Sequence, residues 1–229
     1  MKPENEALVS KQKDIFSFRD LAESTITTYI SYLSQFIGWV ESELPDRSVS
    51  DISWTEIRSY IDHLRTVRKI GNRTINVHIA QLHHFFHYVL KRDWDKYEVP
   101  FLRYDTSLPN VPSKAEMIAI IESVSNPKHK AEIALLYSSG IRVSELVNLR
   151  CRDIIMSRGC IYISRSKNRS ERNAVLSQKA LLILVRYIRT SYRAAAPDDW
   201  LFPGQDGVSH INAQSVRNVF NKALDRTGL

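Results

Sequence analysis

The stretch Leu135-Leu136-Tyr137-Ser138-Ser139-Gly140-Ile141-Arg142-Val143-Ser144-Glu145-Leu146-Val147-Asn148-Leu149-Arg150 decides how this chain is read. Ile133, Leu136 and Tyr137 predict an apolar helix that runs into Gly140, and glycine suits a helix C-terminus because it takes the left-handed cap without steric cost. Arg142 sits just past the break. Val143, Leu146, Val147 and Leu149 then predict a short amphipathic helix in which Glu145 stands one turn from Arg142 on the same face. An arginine held between two packed helices, with a carboxylate steadying its fork, can present a fixed guanidinium to a phosphate. The same spacing also fits an ordinary helix-surface ion pair.

Downstream, Ile154-Ile155-Met156, a Ser157-Arg158-Gly159 turn, Ile161-Tyr162-Ile163, a polar loop and Ala174-Val175-Leu176 predict a small three-stranded antiparallel sheet. Its second loop carries Arg165, Lys167, Arg169 and Arg172. A helix-break arginine followed by a basic hairpin resembles the catalytic domain of the tyrosine recombinases, the phage integrase family. The family's Gly-hydrophobic-Arg-x-Ser-Glu-Leu motif is matched by Gly140 to Leu146. Its hairpin, Gly-Lys-Gly-Asn-Lys-Glu-Arg-x-Val-Pro-Leu, aligns without a gap on Ser166 to Leu176, with both flanking glycines and the proline replaced.

The chain has 229 residues, 43% of them hydrophobic and 10% aromatic, which is enough for one large or two small packed domains. No run approaches the roughly 18 uninterrupted apolar residues of a membrane span, and Met1 to Glu6 lack the apolar core of a signal peptide. Cytoplasmic residence, with no membrane partner, is the expectation. Cys151 and Cys160 are expected to be free thiols used in packing, since two cysteines make no zinc site.

The formal charge of +7 is unevenly spread. Residues 1 to 103 hold 14 Lys+Arg against 14 Asp+Glu, whereas residues 104 to 229 hold 18 against 11 and carry the whole excess. Such a basic concentration is the footprint of a polyanion binder, with nucleic acid the commonest partner.

The first part reads as helical. Ser24 is expected to cap a helix reaching Glu43, with Ile26, Tyr29, Ile30, Leu33, Phe36, Ile37 and Val40 on one stripe. Ser53 and Glu56 form a capping box for a second helix, carrying Ile57, Tyr60, Ile61 and Leu64 toward Gly71. A third, from Asn72, buries Ile75, Ile79, Leu82, Phe86 and Val89 and shows Asn76, His83, His87 and Lys91 on its other side. His83 and His87 are four apart, but without a helical carboxylate they read as a polar face, and no metal site is expected. Arg73 and Thr74 at the positive helix N-terminus make a natural phosphate contact, so Arg73, Thr74, Asn76, His83 and His87 are candidate DNA-binding residues. The resemblance implies the family's N-terminal core-binding domain here.

Pro100 to Pro112 read as an extended linker. Ser113 and Glu116 then cap a helix with Met117, Ile120, Ile121 and Val124 inward, a helix from Lys179 to Tyr192 follows the sheet, and Asn212 caps the last one. The expected fold is mainly α with a small antiparallel β-sheet: a helical, SAM-like core-binding domain over 1 to 103, and part of a tyrosine-recombinase catalytic domain over 104 to 229.

In the family a tyrosine attacks a DNA phosphodiester and forms a 3′-phosphotyrosyl link, without metal or nucleotide cofactor. The resemblance gives Arg142 the role of phosphate clamp, Lys167 that of proton donor to the leaving 5′-oxygen, and Glu145 that of orienting the site; Arg165, Arg169 and Arg172 would contact DNA. The family's His-x-x-Arg box and nucleophilic tyrosine are not found, and Tyr187 and Tyr192 stand in the wrong context. The chain is therefore expected to be truncated, to bind double-stranded DNA, and not to cut it. Intact family members assemble as tetramers on paired sites, which leaves this chain free to be monomeric off DNA. Two other readings stay open: a non-catalytic relative that occupies or regulates recombination sites, and an unrelated helical protein whose basic hairpin meets RNA or a protein.

Overall fold

The computed structural model describes residues 1–164, 171–191 and 196–229. The chain divides into two compact units, Met1–Leu108 and Pro109–Leu229. Residues 101–113 contain neither helix nor strand.

The first unit is built from α1 (Pro3–Phe18), α2 (Glu23–Glu43), α3 (Trp54–Thr66) and α4 (Asn72–Tyr88). The stripes on α2, α3 and α4 converge on a core that includes Phe36, Tyr60, Leu64, Ile79 and Phe86. Phe36 meets Tyr60 edge-on, with ring centroids 5.1 Å apart, an arrangement aromatic pairs favour. The Ser53 and Glu56 capping box forms as the sequence predicts, with the Glu56 N–H donating to Ser53 Oγ at 3.3 Å and the Ser53 N–H donating to Glu56 Oε2 at 2.7 Å.

Three local expectations need correction. The second helix starts at Glu23 behind Ala22, so Ser24 does not cap it. The third stops at Thr66, well before Gly71. The largest miss is α1, whose buried residues are Asn5, Gln12 and Phe16. Two of these three are polar, so a hydrophobic pattern does not reveal the helix. Asn5 donates to Glu41 Oε1 at 2.7 Å, and Gln12 Nε2 lies 2.9 Å from His84 Nδ1.

The second unit comprises α5 (Lys114–Ser123), α6 (Pro127–Ser139), α7 (Val143–Val147), β1 (Ile154–Ile155), β2 (Cys160–Ile163), β3 (Arg172–Val175), α8 (Gln178–Ser191) and α9 (Ala213–Thr227). Helix α6 is central and packs against α5, α7, α8, α9 and β3. Its buried face is Ala131, Ile133, Ala134 and Leu135, whereas Tyr137 is 46% exposed, so the sequence places the stripe one residue off. Small Ala131 and Ala134 let α8 approach closely.

The sheet is antiparallel in the order β1-β2-β3, with Ile161 opposite both Ile154 and Ala174, and Ile163 opposite Arg172. Alternation along β3 buries Ala174 and turns Val175 outward, 76% exposed. Leu182 on α8 likewise faces out, while Tyr187 is buried, stacks on Phe202 at 5.5 Å and donates its hydroxyl to the Leu201 carbonyl at 3.1 Å. Cys151 and Cys160 are free thiols, Cys160 buried and Cys151 partly buried against the core of this unit.

Candidate phosphate-binding site

The chain turns sharply between α6 and α7. Gly140 ends α6 with φ 62°, and its N–H donates to the Leu136 carbonyl at 3.0 Å. A Cβ added at Gly140 would meet no atom within 4 Å, so the requirement for glycine is conformational, not steric. Gly140→Ala is therefore expected to lower stability by about 1–2 kcal/mol through the left-handed backbone alone, and Gly140→Asn by less, measured by urea unfolding.

Buried Ile141 anchors the turn, and Arg142 follows at the N-cap of α7 with its side chain half exposed. Glu145 lies on the inner face of α7 and is only 6% exposed. Its Oε2 accepts the Arg142 backbone N–H at 2.8 Å and its Oε1 accepts Arg142 Nη1 at 3.0 Å. The pairing of Arg142 with Glu145 thus has the one-turn geometry their spacing suggests. It is also more buried than a surface ion pair.

Arg172 completes the group in a way the sequence does not indicate. From the first position of β3 its Nη1 donates to Glu145 Oε1 at 2.9 Å and its Nη2 to Glu145 Oε2 at 2.7 Å. The fork assigned to DNA is instead closed on a buried carboxylate. Bidentate geometry favours this pairing, because a planar guanidinium matches both carboxylate oxygens at once. The Arg172 hydrogen bonds, followed by those from Arg142, hold the Glu145 pKa down to about 2. Glu145 in turn raises that of Arg172. Arg165, Lys167 and Arg169 lie outside the described residues.

Toward the start of α6, Glu132 is 2% exposed, and desolvation pushes its pKa up to about 7 against the opposing pull of Lys128. Lys128 itself donates to the Pro203 carbonyl. Sequence reading missed both roles, since an i, i+4 Lys-Glu pair normally marks a solvated helix face.

In the first unit, Arg73 and Thr74 are exposed on the first turn of α4. Asn76 is committed elsewhere: its Nδ2 donates to the Leu102 carbonyl at 2.9 Å and its Oδ1 accepts the Leu102 N–H at 2.8 Å. His83 lies beside Trp94 with ring centroids 5.9 Å apart, and His87 Nδ1 is 3.6 Å from Asp93 Oδ1. The face of α4 proposed for DNA is thus partly lined by the segment that follows the helix. Among the described residues no group of three or more His, Cys, Asp or Glu is placed to hold a metal ion. No helix among them is long and apolar enough to cross a membrane.

A helix-break arginine braced by a buried glutamate, on a helical scaffold with a three-stranded sheet, is the arrangement expected of a tyrosine-recombinase catalytic domain. Comparison with known proteins agrees. The phage integrase family model matches residues 113–229, and the phage integrase N-terminal SAM-like domain model matches residues 8–96. The chain belongs to the phage integrase family. It is 31% identical over 208 residues to the putative integrase/recombinase y4qK of Sinorhizobium fredii, covering 90% of this chain and 65% of that protein. A second protein of that organism, putative integrase/recombinase y4eF, is 33% identical over 175 residues, covering 76% of this chain and 68% of the relative. The chain thus spans about two thirds of the length of these curated relatives. A crystal structure of a lambda integrase dimer bound to a COC′ core site has the same fold, with a TM-score of 0.72 at 14% identity over 98% of this chain and 63% of that one. The mainly helical fold with a small antiparallel sheet, read from the sequence as a SAM-like part followed by part of a catalytic domain, is borne out.

Proposed function

We propose that this chain is the DNA-binding and phosphate-positioning part of a site-specific tyrosine recombinase or integrase acting on double-stranded DNA in the cytoplasm. Residues 1–103 serve as the core-binding domain and residues 104–229 as the catalytic one. The observation that carries the reading is the half-exposed Arg142 guanidinium, fixed by a buried glutamate in a unit that holds the chain's entire excess of positive charge.

In this reading Arg142 places its free donors on the non-bridging oxygens of a phosphodiester, where charge grows as the pentavalent phosphorane forms. Lys167, in the role the resemblance gives it, delivers a proton to the departing 5′-oxygen. Glu145 touches no substrate and orients Arg142. Arg73 and Thr74 offer a phosphate contact at the positive end of α4, and His83 and His87 remain candidates farther along it. Asn76 is better read as a brace for Leu102.

The family's nucleophile and second arginine box are not among these 229 residues. Tyr187 is no substitute, because it is buried with its hydroxyl on Leu201. The polypeptide accordingly binds DNA without forming a covalent adduct. That feature equally suits a non-catalytic relative that occupies recombination sites.

Duplex-binding isotherms in EDTA over a range of salt concentrations test the reading. Replacing Arg165 and Arg169 together with serine should lower the magnitude of the log-log salt slope by about 2, as expected for two lost phosphate contacts. An unchanged slope would place the DNA elsewhere. A wild-type chain that ignored duplex DNA even at low salt would overturn the proposal.

A further inference from the structure

A carboxylate offers about four lone-pair positions, and all four on Glu145 are used. Oε1 accepts Nη1 from both Arg142 and Arg172, while Oε2 accepts the Arg142 backbone N–H and Arg172 Nη2. Arg142 is therefore tied at one side-chain nitrogen. Its other donors make no hydrogen bond among the described residues, and half the side chain is exposed.

From this geometry we infer that Arg172 is a positioning residue that holds Arg142 open for a phosphate, and not a DNA contact. The inference rests on the proposed role of Arg142. Two guanidiniums share one carboxylate, so the group keeps one net positive charge; Arg172 pairs with the carboxylate through both fork nitrogens, whereas Arg142 bonds it through one and is the more exposed, at 50% of its side chain against 35%. Without Arg172, two lone pairs on Glu145 would fall vacant. Among the described residues that bond Glu145, Arg142 alone is then left to fill them, and its fork would rotate into a bidentate, neutral pair and lose the edge that a phosphate needs. Arg172 prevents this by occupying the carboxylate from the other side. Its place in β3, opposite Ile163, ties that occupation to the sheet.

The test is a double-mutant cycle read by duplex-DNA affinity of the 229-residue chain. With Glu145 intact, Arg172→Gln should weaken binding about tenfold, the scale of a lost charge-assisted hydrogen bond. In a Glu145→Gln background, where no anion is left to draw Arg142 in, the same change should alter affinity less than about twofold. Arg172→Lys keeps the charge but not the fork, so it should recover only part of the loss. A carboxyl NMR titration should also show the Glu145 pKa rising toward its usual value in Arg172→Gln. Equal losses in both backgrounds, or full recovery by lysine, would make Arg172 a direct DNA contact and overturn the inference. If Arg172→Gln fails to fold by circular dichroism, Arg172→Lys carries the same cycle against Glu145→Gln. A wild-type chain without DNA affinity would instead defeat the functional proposal, and the NMR titration would still judge the arginine-glutamate geometry by itself.

Discussion

Glu145→Ala is expected to lower the stability of the second unit by about 3 kcal/mol, the lower end of the range for breaking a buried ion pair. The change leaves the Arg142 and Arg172 guanidiniums facing each other across a cavity with no anion between them. It also removes the acceptor of the Arg142 backbone N–H at the start of α7. The low end applies because the two arginine side chains are 50% and 35% exposed, so water takes up part of the loss. Acid should erase the difference between wild type and variant. The Glu145 pKa is about 2 in the folded chain against an ordinary 4.5, so its contribution is present above pH 4.5 and is lost as pH falls toward 2. Urea unfolding followed through Trp200, in the second unit, should show a large gap in midpoint at pH 7 that narrows below pH 4.5. Equal midpoints at pH 7 would mean that the carboxylate contributes nothing by lying between the two arginines.

What the sequence reveals about this molecule follows the type of interaction. Apolar stripes on α2, α3 and α4 are legible because period and burial agree, and the Ser53 and Ser113 capping boxes because their donors and acceptors lie three residues apart. Gly140 is legible because only one backbone conformation ends α6 and frees Arg142. The part that stays hidden is long-range and polar. Arg172 lies 27 residues from Glu145, and nothing local separates an arginine that meets phosphate from one that meets a buried carboxylate. Helix α1 escapes for a related reason: it docks through Asn5 and Gln12, which a hydrophobic pattern counts as surface. Asn76 is misplaced because its partner, Leu102, belongs to a segment without periodicity.

Between pH 4.5 and 6.5 the two units should respond to acid in opposite directions. In the first unit, burial lowers the pKa of His78 to about 4 from its ordinary 6.5, with Arg68 adding to the shift. The unfolded chain therefore takes up a proton that the folded chain refuses, and stability falls as pH drops from 6.5 toward 4. For His78, which is 2% exposed, the full effect is on the order of 3 kcal/mol. His84 shifts the same way, held neutral by desolvation first and by Arg19 next, and adds a smaller amount because it is only half buried. Protonation there also sets a cation against Arg19, whose Nη1 lies 2.9 Å from His84 Nε2, and so loosens the seat of α1.

In the second unit, Glu132 has the opposite sign. Its folded pKa is raised to about 7, so the folded chain binds the proton first, and stability is greatest below pH 4.5 and declines as pH rises through 7. The magnitude is again on the order of 3 kcal/mol. Trp39, Trp54 and Trp94 belong to the first unit and Trp200 to the second, so a Trp200→Phe variant reports on the first unit alone by fluorescence. Amide hydrogen exchange in α6 and α8 follows the second. Lowering pH from 6.5 to 4.5 should reduce the urea midpoint of the first unit and, with the large Glu132 shift outweighing the opposing one of His129, whose pKa burial lowers, raise the exchange protection of the second, corrected for the intrinsic pH dependence of exchange. Glu132→Gln should abolish the rise in the second unit and leave the fall in the first unchanged. Two units that weakened together, equally in wild type and in Glu132→Gln, would show that Glu132 keeps its charge at neutral pH, with Lys128 outweighing the cost of burial.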